Sequence, residues 1–310
     1  DGEIVGFHTL AEFDAAPDAV IRGKIVYISH AMRPAQDGSS YGPYGNVRRQ
    51  APDRASKRGA AAILIRSIGT DWHRNPHTGV TNFTAGTTPI PAAALSNPDA
   101  DNLERMMARS ATPVRIHLLL TPRQTGPQTS GNVIAEVPGS DPAAGVVLIA
   151  CHLDSWDLGT GAIDDAAGCG IIQAAAQRVR AMGQPRRTIR ILFAGAEEVG
   201  GFGAAAYATR HTADNHALVM ESDFGAARVW SAAYSLPAAA APLADRIALA
   251  LNPLGATRSR NEAHGGTDVE PVAETGVAVI DLAQDGTDYF NLHHTPDDTF
   301  DKIEPRAIAQ

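Results

Sequence analysis

The sequence predicts an α/β fold: a doubly wound, mostly parallel sheet, preceded by a smaller β-rich domain. Three observations predict it. In the second half, short apolar runs alternate with Ala-rich helical stretches, the pattern of βαβ units. The run Val146-Val-Leu-Ile-Ala150 is apolar at every position, as a strand buried on both faces of a parallel sheet must be. Metal-capable side chains follow the ends of successive apolar runs, the edge where open α/β sheets bind ligands.

In the first half, residues 23–29, 60–66 and 114–120 read as strands, and 54–59 as a short helix feeding the second of them. Long loops between them hold His73 and His77, for which loop packing is the expected role. A polar Gly/Pro stretch at 122–131 is the predicted linker. It divides the chain into domains 1–122 and 131–310. In the second half, strands are expected at 146–150, 188–193, 217–220 and 277–280, with helices at 165–182, 202–210 and 237–251.

Bulk properties narrow the function classes. The 310 residues carry a formal net charge of −8 with no Lys/Arg block, which argues against nucleic-acid or anionic-membrane partners. No apolar run approaches the roughly 20 residues of a membrane helix. Cys151 and Cys169 are too few for a disulfide scaffold and pair only if the fold brings them together. Asp1 reads as a processed start, from which any targeting segment has gone.

The chemistry concentrates at the predicted strand ends. Residues 146–150 lead into His152-Leu-Asp154, and 188–193 into Glu197-Glu198. Residues 217–220 lead into Glu221-Ser-Asp223, and the last strand is followed by His293-His294. Asp164-Asp165 lies in the first strand-to-helix loop. Each piece alone has a plain explanation: a paired His and Asp, a solvated helix start, an N-cap, a surface loop. Five segments reaching one rim make a metal site the better reading. Imidazole plus carboxylate is a ligand set for zinc, with cobalt or manganese as weaker alternatives.

These residues carry a resemblance. His152 through Asp165, Ala196-Glu-Glu198, Met220-Glu-Ser-Asp223, Gly265-Gly-Thr-Asp268, and Tyr289 through His293-His-Thr295 to Asp298-Thr299 resemble the M28 metallopeptidases, in particular their carboxypeptidase Q branch. Arg22-Gly-Lys-Ile-Val26 and Pro76-His-Thr-Gly79 resemble that branch's protease-associated insert, placing it in 1–122 and the catalytic domain in 131–310. The family's N-terminal helical segment is not evident ahead of Asp1.

The resemblance implies two zinc ions per chain. His152 and Asp223 would bind one, Glu198 and His294 the other, with Asp164 between them. Glu197 would be the general base acting on a metal-bridging water. Asp154 would be a carboxylate fixing the tautomer of His152. It further implies a cis Asp164–Asp165 peptide. Three carboxylates and two neutral imidazoles leave two zinc ions a net charge of about +1, available to a developing oxyanion. His293 is open between an oxyanion donor and a rim histidine. Trp156 is expected beside the site, Asp165 in a structural role, and His264 in a loop.

The expected activity is exopeptidase hydrolysis of small peptides, of aminopeptidase or dipeptidase type. A homodimer is plausible from the family. A periplasmic or secreted location is expected. Two other readings compete. A single-zinc transferase resembling glutaminyl cyclase would bind one metal per chain. A catalytically silent binding module would not need Glu197.

Overall fold

The computed structural model describes residues 1–123 and 125–310; Gln124, within the predicted linker, lies outside them. The described residues divide into two compact units. One is 1–127 with 290–296, and the other is 128–289 with 297–310.

The first unit contains strands β1 (Gly2–Phe7), β2 (Ile25–Ile28), β3 (Ala62–Arg66), β4 (Ala92–Leu95) and β5 (Arg115–Ile116). They form a sheet in the order β4-β3-β2-β1-β5. Neighbours run parallel except β5, which is antiparallel to β1. Every residue of β2 and β3 is buried, as expected for central parallel strands. The unit is more helical than its apolar runs suggest. Helix α1 spans Tyr41–Lys57, far longer than the short helix expected at 54–59, and helix α2 spans Asn97–Arg109. Ser96 caps α2 by accepting from the Asp99 N–H at 3.3 Å.

The second unit is a seven-stranded mixed sheet. It contains β6 (Val133–Val137), β7 (Val146–His152), β8 (Thr188–Ala194), β9 (His216–Glu221), β10 (Val229–Ser235), β11 (Thr257–Arg258) and β12 (Val279–Gln284). The order is β11-β10-β12-β9-β7-β8-β6. The four expected strands correspond to β7, β8, β9 and β12. They pair in parallel through β7–β8, β7–β9 and β9–β12. The antiparallel pairs lie further out, β6 on β8 and β10 on β12.

Side chains alternate between the two faces along β7, whose last three residues, Ala150, Cys151 and His152, are all buried. Leu148 and Ala150 join a core with Leu192, Val219 and Val279 on one face. Cys151 packs with Ile172 and Ala176 of helix α3 (Ala167–Ala181) on the other. Both faces are therefore covered, which places the functional groups at the strand ends.

Cys151 and Cys169 form a disulfide that ties the end of β7 to α3 across 18 residues. A loop of that length restricts the unfolded chain enough to contribute about 3 kcal/mol. Replacing both cysteines with Ala is expected to lower unfolding stability by about that amount in a urea titration. An unchanged midpoint would contradict this.

Candidate metal centre

The end of β7 delivers His152, which is almost completely buried. Its Nδ1 lies 2.8 Å from the Asp154 carbonyl. A carbonyl only accepts, so Nδ1 carries the proton and the neutral ring keeps its lone pair at Nε2. That lone pair faces Asp164 Oδ1 at 3.1 Å and Asp223 Oδ1 at 3.5 Å. A lone pair and two carboxylate oxygens in one buried spot repel unless a cation lies among them.

A second proton on the ring is one solution. Burial opposes it, but the Asp164 and Asp223 carboxylates override burial and push the His152 pKa far up. A divalent cation meets the same need with a better match of charge. Asp223 supports this: burial raises its carboxyl, and its Oδ1 has no hydrogen-bond partner among the described residues. The donor set therefore fits a metal. Ligand atoms of His152, Asp164 and Glu198 lie within 4.8 Å of one another, as do those of His152, Asp165 and Asp223.

Asp164 sits in the kinked turn Ala162–Ala166 with a non-helical φ of −131°, and the Asp164–Asp165 peptide is cis, as the resemblance implied. Asp298 holds this turn. Its carboxylate accepts from Ile163 N–H at 2.6 Å and from Asp164 N–H at 3.2 Å. Burial raises the Asp298 carboxyl to about 6, against the pull of the Ile163 N–H. Asp165 accepts from the N–H groups of His152 and Gly168, the structural role expected of it. Gly168 permits close passage: a Cβ there would meet the Ser222 carbonyl at 1.8 Å.

Glu197 and Glu198 follow β8 through Ala196, whose φ of 61° is left-handed. The Asp154 carboxylate accepts from Glu197 N–H at 3.0 Å and Glu198 N–H at 3.2 Å. The expected role of Asp154 is thereby modified. It sets the His152 tautomer through its carbonyl, while its carboxylate lies 3.9 Å from Nδ1 and clamps the Glu197–Glu198 turn instead. An N–H pair binds a carboxylate better than one distant ring nitrogen does.

Glu198 Oε2 accepts from Trp156 Nε1 at 2.7 Å, so Trp156 does lie beside this group. Burial, then the Asp223 charge, raises the Glu197 carboxyl to about 7. That value suits a group that must accept and return a proton near neutrality.

Two more carboxylates belong to this region: Glu221, which had no role assigned from the sequence, and Asp268, which lies in a stretch that carries the resemblance and was expected to shape the pocket or hold its loop. Glu221 accepts from Asp268 N–H at 2.7 Å and Val269 N–H at 3.1 Å. Gly266 allows that approach, since a Cβ there would lie 2.1 Å from the Glu221 carboxylate. The Gly265-Gly266 pair was the one sequence signal of this contact. Asp268 is buried, and neither of its carboxylate oxygens has a hydrogen-bond partner among the described residues. Burial raises it to about 7. His264 donates its backbone N–H to Asp281 at 2.8 Å, the loop role expected of it.

Six of the expected site residues thus share one region of the second unit: His152, Asp154, Asp164, Glu197, Glu198 and Asp223. His293 and His294 lie on 290–296, which packs with the first unit, while the flanking Tyr289 and Asp297 belong to the second. The two rings stack with centroids 3.6 Å apart. His77, expected to pack in its loop, is buried between Asp71 Oδ1 at 2.6 Å and the His293 carbonyl at 2.7 Å.

Comparison with known proteins agrees with this architecture. Residues 132–310 match the Peptidase family M28 profile. Carboxypeptidase Q of Bos taurus is 33% identical over 94% of this chain. The chain spans about 60% of the length of the curated relatives it matches. The crystal structure of a peptidase M28 precursor from Shewanella amazonensis superimposes with a TM-score of 0.96 at 44% identity, covering 100% of this chain and 70% of that one. The zinc aminopeptidase BSAP from Bacillus subtilis shares the fold, with a TM-score of 0.60 at 17% identity over 100% of this chain and 72% of that one. The chain belongs to peptidase family M28.

Proposed function

We propose that this chain carries the catalytic site of a two-zinc exopeptidase that cleaves small peptides of aminopeptidase or dipeptidase type. The observation that carries this reading is the His152 ring. Its Nδ1 is tied to a carbonyl, and its Nε2 lone pair faces two buried carboxylates. A divalent cation among these groups matches their charge better than a second ring proton does, and Glu197 stands beside them with its carboxyl raised to about 7.

In this reading His152 and Asp223 would hold one zinc and Glu198 and His294 the other, with Asp164 as the fifth ligand residue. Bound zinc supplies a Lewis acid that polarises a carbonyl and acidifies water. Glu197 accepts a proton from the attacking water at its carboxylate and passes it to the leaving amine nitrogen. Asp154 orients both a ligand and the base, holding His152 through its carbonyl and the Glu197–Glu198 turn through its carboxylate. His293 is assigned as a donor to the developing oxyanion.

The relatives named carboxypeptidase Q and the neighbour titled a zinc aminopeptidase support a peptidase. The disulfide supports a periplasmic or secreted location, where such cross-links persist. Residues 1–122 are read as the protease-associated domain.

A panel of free, N-blocked and C-blocked dipeptides tests the proposal. Free dipeptides are expected to be cleaved, and blocking the recognised terminus should abolish turnover. Equal turnover of all three forms would contradict an exopeptidase.

A further inference from the structure

The segment that carries His294 meets residues 77–78 at two points within the first unit. Thr78 N–H donates to the His294 carbonyl at 3.1 Å, and the Thr78 carbonyl lies 3.0 Å from His294 Nδ1. Beside it, the His77 ring spans the His293 carbonyl and the Asp71 carboxylate. A carbonyl has no proton to give, so His294 Nδ1 is the donor. The neutral ring then keeps its lone pair at Nε2.

Arg48 acts on the same carbonyl. Its Nη1 donates to Thr78 O at 3.2 Å and its Nη2 to the Tyr41 hydroxyl at 2.7 Å. Arg48 is 7% exposed, and none of these partners is a carboxylate. Burying a guanidinium without a counter-charge is costly. Here its charge is spent on the dipole of one peptide carbonyl. Gly79 leaves the space it needs: a Cβ there would lie 2.3 Å from the guanidinium carbon. His294 itself has a φ of 61°, a left-handed conformation that a residue with a Cβ keeps only when its surroundings impose it. The paired hydrogen bonds to Thr78 impose it.

We infer that Arg48, Thr78 and the Asp71–His77 pair are positioning residues for His294. They hold its ring proton at Nδ1 and present Nε2 as a metal ligand. The contacts within the first unit then set the tautomer and backbone of this one ligand. This inference rests on the zinc reading above, in which His294 is a ligand.

The test uses the whole chain, labelled with ¹⁵N-histidine and stripped of metal. Long-range ¹H–¹⁵N correlation identifies the tautomer of each ring, with His294→Ala assigning the signal. Wild-type His294 is expected to be protonated at Nδ1. Arg48→Met is expected to give a mixture of tautomers. It should also weaken one of two zinc sites by about 10- to 100-fold, the usual cost of losing a group that supports a ligand, while the other site is unchanged. Arg48→Lys, which keeps a cationic donor, should recover part of that loss.

Protonation of wild-type His294 at Nε2 would overturn the inference. So would wild-type tautomer and zinc binding in Arg48→Met. If Arg48→Met does not fold, Asp71→Asn carries the same two readouts. A chain that binds no zinc would defeat the proposed function, while the tautomer in the metal-free protein would still decide the positioning claim.

Discussion

Glu197→Gln is expected to leave the fold and zinc content unchanged while kcat falls by about 10²- to 10⁴-fold, the usual contribution of a positioned general base. That range corresponds to about 3–5 kcal/mol of transition-state stabilisation. The substitution keeps the shape of the side chain and the backbone N–H that Asp154 accepts from. What it removes is a carboxylate able to take a proton. The Glu197 carboxyl is raised mainly by burial and then by the Asp223 charge, so it exchanges protons near neutrality. An amide cannot. Steady-state kinetics beside metal analysis checks the outcome. Wild-type kcat in the variant would remove Glu197 from the mechanism, and lost zinc would make it a ligand instead.

His152→Ala is expected to have an effect at least as large, by a different route. The imidazole is the neutral donor among Asp164, Asp165 and Asp223, all buried or half-buried. Without it, that corner loses its lone pair and leaves carboxylates to repel one another. One zinc should be lost per chain. Affinity at that site should fall by more than the roughly 10–100-fold typical of removing a group that only supports a ligand. Activity should fall with it, and excess zinc should not restore it. Metal titration by calorimetry measures this directly. Two tightly bound zinc ions in the variant would contradict the assignment of His152.

The parts of this architecture legible in the sequence are those set by local pattern. The strands β7, β8, β9 and β12 are dominated by apolar residues, and their period and flanking turns mark them. The ligand candidates were visible because they follow those strands directly. Helix α1 was mostly hidden because Gly42, Pro43, Gly45 and Pro52 lie within it and tertiary packing overrides their low helix propensity. Strand β10 was hidden because Val229-Trp-Ser-Ala-Ala-Tyr-Ser235 mixes small, polar and aromatic residues, and pairing with β12 and β11 makes it a strand.

The supporting carboxylates were hidden for another reason. Asp298 lies 134 residues from the Asp164 N–H it accepts, and Glu221 lies 47 from Asp268. No local pattern encodes contacts that long. Asp154 illustrates the limit within a motif: its position beside His152 was readable, but the division of labour between its carbonyl and its carboxylate required coordinates.

Zinc stoichiometry of the purified, active chain tests the central claim most directly. Inductively coupled plasma mass spectrometry on protein quantified by amino-acid analysis is expected to give two zinc ions per chain. Activity should be lost on chelation and regained as both are restored. Full peptidase activity with one zinc per chain, or with none, would contradict the account.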